Sequence, residues 1–145
     1  MINKLIRESK LTKSEKEKLT KLALKPTHLY TNVILDLVKK VKVKSIANIT
    51  GGGLSENIPR SIPNTLSSEI YLKNWKMPQF FATLQKLGKI EMRDMLRIFN
   101  CGIGMTVVIE PKELDSTLKV LSKHKFKGFM IGKVIKKSSS AITFL

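Results

Sequence analysis

Cysteine is almost missing from this sequence. Cys101 stands alone, so no internal disulfide can form, and such usage suits a reducing compartment. Long apolar runs are missing as well: nothing approaches the roughly 20 residues that a bilayer span requires. The opening stretch "MINKLIRESKLTKSEKEKLTK" is charged throughout and has neither the apolar core nor the cleavage site of a signal peptide. These absences together predict a soluble, cytoplasmic protein without a membrane segment. His28 and His124 lie far apart and no Cys/His cluster exists, so no metal site is expected. Acids are few, 11 Asp and Glu against 27 Lys and Arg. Glu91, Asp94, Glu110, Glu113 and Asp115 are scattered over predicted surfaces, and no pair of them suits general acid–base work.

The resulting formal charge of +16 raises the question of nucleic acid. Arginine, the side chain favoured for bidentate phosphate and base contacts, is confined to Arg7, Arg60, Arg93 and Arg97. The lysines run from Lys4 to Lys137 and form no single tract. That is the pattern of a solvated lysine-rich surface, and nucleic acid is not an expected partner. At 145 residues and 42% hydrophobic content the chain fits one folded domain with a real core.

Periodicity then gives the elements. "LTKSEKEKLTKLAL" predicts a surface helix capped by Thr12 or Ser14. In "KPTHLYTNVILDLVKKVKVKS", Leu29, Val33, Ile34, Leu37, Val38 and Val41 share one helical face, with Pro26 or Thr27 as the start. "KSIANIT" predicts a short strand running into the glycines, and "TLSSEIYLKNW" a second one. "MPQFFATLQKLG" is a helix from Pro78 to Gly88 with Phe81, Leu84 and Leu87 on one face. "KIEMRDMLRIFN" is another, clustering Met92, Met95 and Leu96 and ending at Asn100. "GIGMTVVIE" is a strand by its β-branched content. "PKELDSTLKVLSKH" is a helix on Leu114, Leu118 and Leu121, and "GFMIGKVIK" and "SAITFL" are the last strands. The alternation predicts an α+β or α/β sandwich. Its best-formed strand–helix–strand unit runs from "GIGM" to "GFMIGKV".

The most unusual stretch is "NITGGGLSENIPRSIPN". Three successive glycines weaken any regular element, since glycine loses the most backbone entropy on folding. Their spacing matches neither a dinucleotide fingerprint nor a P-loop. A strand that ends at Thr50, glycines that expose backbone N–H groups, and Arg60 close behind make a candidate anion cradle, set against an ordinary flexible turn. "FNCGIGM" supplies a second Gly-x-Gly that enters a strand, where a bulge or close backbone packing is the plainer reading. Cys101 beside it reads as a small buried thiol, with no histidine near in sequence to activate it.

These two segments, with "GFMIGKV" after them and "KPTHLYTNVILDLV" before, resemble the C-terminal domain of the phosphoribosylformylglycinamidine cyclo-ligase (aminoimidazole ribonucleotide synthetase) family. "NWKMPQFFATLQKLGKIEMRDM" also fits, and the resemblance covers about Leu22 to Val134. It implies an α+β fold, a layered α/β sandwich with a mixed β-sheet, across residues 25–145, with residues 1–24 as a helical lead-in. It implies ATP-dependent closure of the imidazole ring of formylglycinamidine ribonucleotide in purine synthesis, in a homodimer. The resemblance makes Thr50, Gly51, Gly52, Gly53, Asn57 and Arg60 the substrate- or phosphate-binding turn. Asn100, Gly102 and Gly104 become the facing wall, and the prolines stiffen the loop. No catalytic residue is assigned.

The chain departs from the family in two respects. The resemblance covers no N-terminal ATP-binding domain of the family, so ATP and Mg²⁺ are expected to belong to the complete enzyme, none is expected on this chain alone, and an ATP-binding partner is implied. The family commonly has His at the position of Asn48 and Arg at that of His28, which removes a proton carrier and weakens a phosphate contact. Two other readings compete. The chain is a catalytically lost basic module that holds polyanions such as RNA, or a relative from the same ATP-binding superfamily.

Overall fold

The computed structural model describes residues 2–145. Two short helices lead in, α1 (Ile2–Glu8) and α2 (Lys13–Ala23). Of the two candidate caps it is Thr12 that starts α2, in a capping box where Thr12 and Glu15 satisfy each other's backbone N–H groups. Ile6 of α1 and Leu19 of α2 are buried in the main core, with Ile2 packed against it.

Helix α3 (Thr31–Lys40) begins later than the sequence predicts. Pro26 and Thr27 do not start it: residues 25–29 take no regular structure, and Tyr30 is the residue that leads into the helix. His28 and Tyr30 set their rings 5.5 and 5.4 Å from that of Phe126, a contact that a helical backbone there would break. Leu29 and Val38 therefore leave the expected face, at 89% and 46% exposure. Val33, Leu37 and Val41 turn fully inward, onto Val120 of helix α7 (Leu114–Lys123), and Ile34 packs half-buried against them. On α7 the fully buried positions are Thr117 and Val120, whereas Leu114, Leu118 and Leu121 are only half-buried.

Strand β1 (Ser45–Asn48) pairs antiparallel with β3 (Met105–Val108). A second, three-stranded sheet has β2 (Leu66–Ile70) at its centre, antiparallel to β4 (Gly132–Lys136) and parallel to β5 (Ile142–Phe144). The mixed sheet and segregated helices make the fold α+β. Strand β3, helix α7 and strand β4 follow one another as expected, but they do not form a parallel crossover unit, since β3 and β4 belong to different sheets. Gly132 helps to fix this: a Cβ there would overlap the carbonyl oxygen of Glu69, so only glycine allows β4 to lie against β2.

Helix α4 (Gly53–Arg60) packs against both sheets and against α6 (Met92–Ile98), while α5 (Gln79–Gly88) packs on α1. Their apolar stripes meet in the main core, where Leu54, Leu84 and Met95 are completely buried. Leu84 has Phe81 and Leu87 packed around it, as the spacing on α5 predicts. Met92, in contrast, is 40% exposed. Among the described residues no helix is long and apolar enough to cross a membrane.

A single carboxylate ties α3 to α7. Asp36 lies 3.0 Å from His124 Nε2, 3.1 Å from Lys40 Nζ and 3.3 Å from Lys123 Nζ. Hydrogen bonds from His124 first, and then Lys40, hold its carboxyl well below the usual carboxylate range. A depressed folded-state pKa gives stability that is present above the unfolded value and is lost as pH falls toward the folded one. Asp36→Asn is therefore expected to lower the urea midpoint at pH 7. The gap from the wild type should narrow as pH drops below about 4. Equal midpoints at pH 7 would show that the cluster contributes nothing.

Candidate functional site

The paired ends of β1 and β3 bring two distant segments together. Asn48 is opposite Met105 in the ladder, and the ladder runs one step further as the Ile49 N–H donates to the Gly104 carbonyl at 3.0 Å. Beyond that tie the two chains diverge. Thr50 and Gly51 leave on one side, Asn100 to Gly104 arrive on the other, and a cleft of about 350 Å³ opens between them. Asn48 and Thr27 stand at its polar edge, while Phe81, Ile98, Phe99 and Ile49 form apolar lining.

The three glycines each have a separate cause. Gly51 has open space around the position of a missing Cβ, and it lines the cleft. Gly52 takes φ +93°, the left-handed region that admits glycine most easily. Gly53 also has positive φ, +56°, and begins α4 pressed onto α6, where a Cβ would overlap the Leu96 carbonyl oxygen and crowd that of Phe99. The glycines thus lead into a helix and not a loop, with Pro59 inside its last turn.

Asn57 holds this turn from within α4. Its Nδ2 donates to the Gly53 carbonyl at 2.7 Å and the Gly51 carbonyl at 3.1 Å, with the Thr50 carbonyl at 3.5 Å. Arg60 faces elsewhere: its guanidinium donates to the Glu56 carboxylate at 2.6 Å, one helical turn back. The Glu56 carboxylate in turn covers Gly52, close enough to obstruct any side chain there. A negative group thus already stands at the amino end of α4, where the helix dipole favours one.

The facing wall is equally constrained. The Asn100 side-chain oxygen accepts the Gly102 N–H at 3.0 Å, which leaves its Nδ2 as the group able to donate elsewhere. Gly102, at φ +97°, lies where a side chain would strike Pro78, and a Cβ on Gly104 would strike the Tyr30 hydroxyl. Cys101 is buried between them, donates to the Met95 carbonyl, and has its thiol pushed up to about 11 by burial. A shielded thiol kept protonated at neutral pH is a poor nucleophile. The indole N–H of Trp75 donates to the Cys101 carbonyl at 3.1 Å and pins the wall to the core.

Of the residues singled out from sequence, Thr50, Gly51, Asn100 and Gly104 meet in the cleft, together with Asn48. Gly52, Gly53, Asn57 and Gly102 shape its walls from behind, and Arg60 is engaged with Glu56. His28 is exposed and packs on Phe126. Sequence patterns did not mark Thr27, Ile98 or Phe99 as lining residues. Phe81 was legible only as a core position on α5. Among the described residues no Lys, Arg, His, Asp or Glu lines the cleft, and no group of three or more His, Cys, Asp or Glu is placed to hold a metal ion. The cleft can hydrogen-bond and pack against a ligand, but it carries no proton-transfer group of its own.

Comparison with known proteins gives this geometry a context. Residues 1–144 match the family described as AIR synthase related protein, C-terminal domain. The chain is 42% identical to a phosphoribosylformylglycinamidine cyclo-ligase of Bacillus cytotoxicus over 118 residues, 81% of this chain and 34% of the relative. It is 41% identical over 113 residues to that of Caldicellulosiruptor bescii, covering 78% of this chain and 33% of the relative. An enzyme of the same name from Staphylococcus aureus aligns with 100% of this chain at 36% identity, over 43% of its own length. The chain thus spans between a third and about two-fifths of the curated relatives it matches.

The glycines allow a direct test. Gly53→Ala must place a Cβ against two carbonyls at positive φ, and it is expected to cost about 2–4 kcal/mol of stability in denaturant melts. Gly51→Ala should stay within about 0.5 kcal/mol of wild type. Similar losses for the two would refute separate causes for the two glycines.

Proposed function

The chain belongs to the family of AIR synthase related proteins, as their C-terminal domain, and from that membership we propose that it is the substrate-side domain of a phosphoribosylformylglycinamidine cyclo-ligase. Residues 25–145 form the body of that domain, and helices α1 and α2 lead into it. Its substrate is formylglycinamidine ribonucleotide. ATP, with Mg²⁺, is held by a separate ATP-binding domain set across the cleft, in a homodimeric, cytoplasmic assembly. There the formyl oxygen would take the γ-phosphoryl group of ATP with release of ADP, and an internal nitrogen would attack the formyl carbon to close the ring as that oxygen leaves with inorganic phosphate.

The observation that carries this reading is the meeting of the Thr50–Gly51 turn with the Asn100–Gly104 segment in one cleft. Both segments belong to the stretches that resemble the cyclo-ligase family, and they lie some fifty residues apart in sequence. Thr50, Gly51, Asn100 and Gly104 contact substrate. Gly52, Gly53 and Asn57 hold the turn, Gly102 lets the opposite wall pack, and Arg60 steadies α4 through Glu56. The chain supplies binding and orientation, which contribute to rate by fixing the reacting groups in place. The phosphoryl chemistry needs metal-binding carboxylates and phosphate loops, and the ATP-binding partner supplies these.

On this basis the purified chain alone releases no ADP from ATP in the presence of the ribonucleotide. Adding the ATP-binding half of a related cyclo-ligase is expected to start ring closure, followed as imidazole product. ATP-dependent cyclisation by the chain alone would overturn the proposal, as would silence of the reconstituted pair when substrate binding by the chain is absent in calorimetry.

A further inference from the structure

The cleft is uncharged in a molecule of formal charge +16. With 27 Lys and Arg distributed over the chain, a site built to grip a phosphate would be expected to take at least one of them, yet none lines this cleft. The neighbouring amino end of α4, the other natural seat for an anion, is already filled. The Glu56 carboxylate covers Gly52, and Arg60 holds it there at 2.6 Å. A phosphate arriving at the glycine turn would meet a like charge, with the Arg60 guanidinium already engaged.

What the cleft does offer is neutral. Asn100 Nδ2, the Asn48 carboxamide and the Thr50 hydroxyl provide donors and acceptors, and the rings of Phe81 and Phe99, 5.7 Å apart, provide apolar walls. Such a set suits a small planar group with amide-like hydrogen-bonding edges. We propose that the cleft seats the phosphate-free end of the substrate, its formyl- and amidine-bearing arm, and leaves the 5′-phosphate outside, to be held by groups that this cleft does not contain. This rests on the cyclo-ligase reading above and specifies which part of the ligand this chain recognises.

The test is calorimetric titration of the full chain with formylglycinamidine ribonucleotide and with its dephosphorylated riboside. The titrations are done at about 300 mM salt, where the general attraction of a cationic surface for phosphate is screened. The riboside is expected to bind within about threefold of the ribonucleotide, and Thr50→Val, an exposed site whose shape is kept, to weaken both by the same factor of about five to tenfold. A riboside that binds more than about tenfold more weakly than the ribonucleotide at that salt would overturn the inference and leave the cyclo-ligase reading standing. Unchanged affinity of Thr50→Val for both ligands would overturn the assignment of the cleft. Failure of the wild-type chain to bind either ligand would instead bring down the underlying reading, and the inference with it.

Discussion

At Gly53 the backbone of α4 runs so close to the end of α6 that the Leu96 and Phe99 carbonyl oxygens occupy the space of a side chain. Much of the site depends on this approach. It sets the angle at which the chain leaves β1, because the turn from Thr50 to Gly53 must both end the strand and deliver α4 to that contact. It also fixes where α6 stops, and therefore where Asn100 and Cys101 begin the return toward β3. The cleft is the space left between two segments that are joined at one end by the Ile49–Gly104 hydrogen bond and at the other by this helix contact. Its walls are held by packing and by backbone bonds, which keeps them in register without any ionic link across the opening.

The charges are arranged around this neutral centre. Asp36 binds α3 to α7, and Glu69 meets Lys133 across the β2–β4 pair. Glu110 lies between Lys44 and Lys112, whose hydrogen bonds bring its carboxyl down to about 2. Glu56 and Arg60 form an i,i+4 pair on α4. With far more lysines than acids, each of these carboxylates finds a local cation. Such exposed pairs contribute little individually to stability.

The sequence carried more of the elements than of their partners. Helix α5 was legible in full because Pro78, Gly88 and the Phe81–Leu84–Leu87 spacing all agree, and local agreement of that kind needs no tertiary information. Helix α3 was misplaced at its start because Pro26 and Thr27 are good local signals, overruled by an aromatic contact with Phe126, nearly a hundred residues away. The pairing of β3 with β1 was invisible for the same reason: β-branched content marks a strand without naming its neighbour. At the site, the glycine triplet and the Gly-x-Gly segment drew attention through composition. What composition does not reveal is that Gly53, Gly102 and Gly104 are small to admit carbonyls, a proline and a tyrosine. The aromatic lining was hidden because Phe81 and Phe99 also serve the core, and periodicity sees only that role.

Asn48 bears on how such a cleft works. Where the family resemblance leads one to expect histidine, this chain has a side chain that keeps one charge state at every pH of interest. The other ionisable groups near the walls point the same way. Burial raises the Tyr30 phenol behind Gly104 and lifts the Cys101 thiol to about 11, so both stay protonated at neutral pH. Between about pH 5 and 9 the cleft therefore has no lining group to titrate. On the proposed function, any bell-shaped dependence of ring closure on pH would have to arise from the substrate or from groups outside this cleft. Binding of an uncharged ligand to the chain alone should be flat over the same range. A cleft of this kind can discriminate by shape and hydrogen bonding while leaving both proton transfer and charge stabilisation to whatever closes over it.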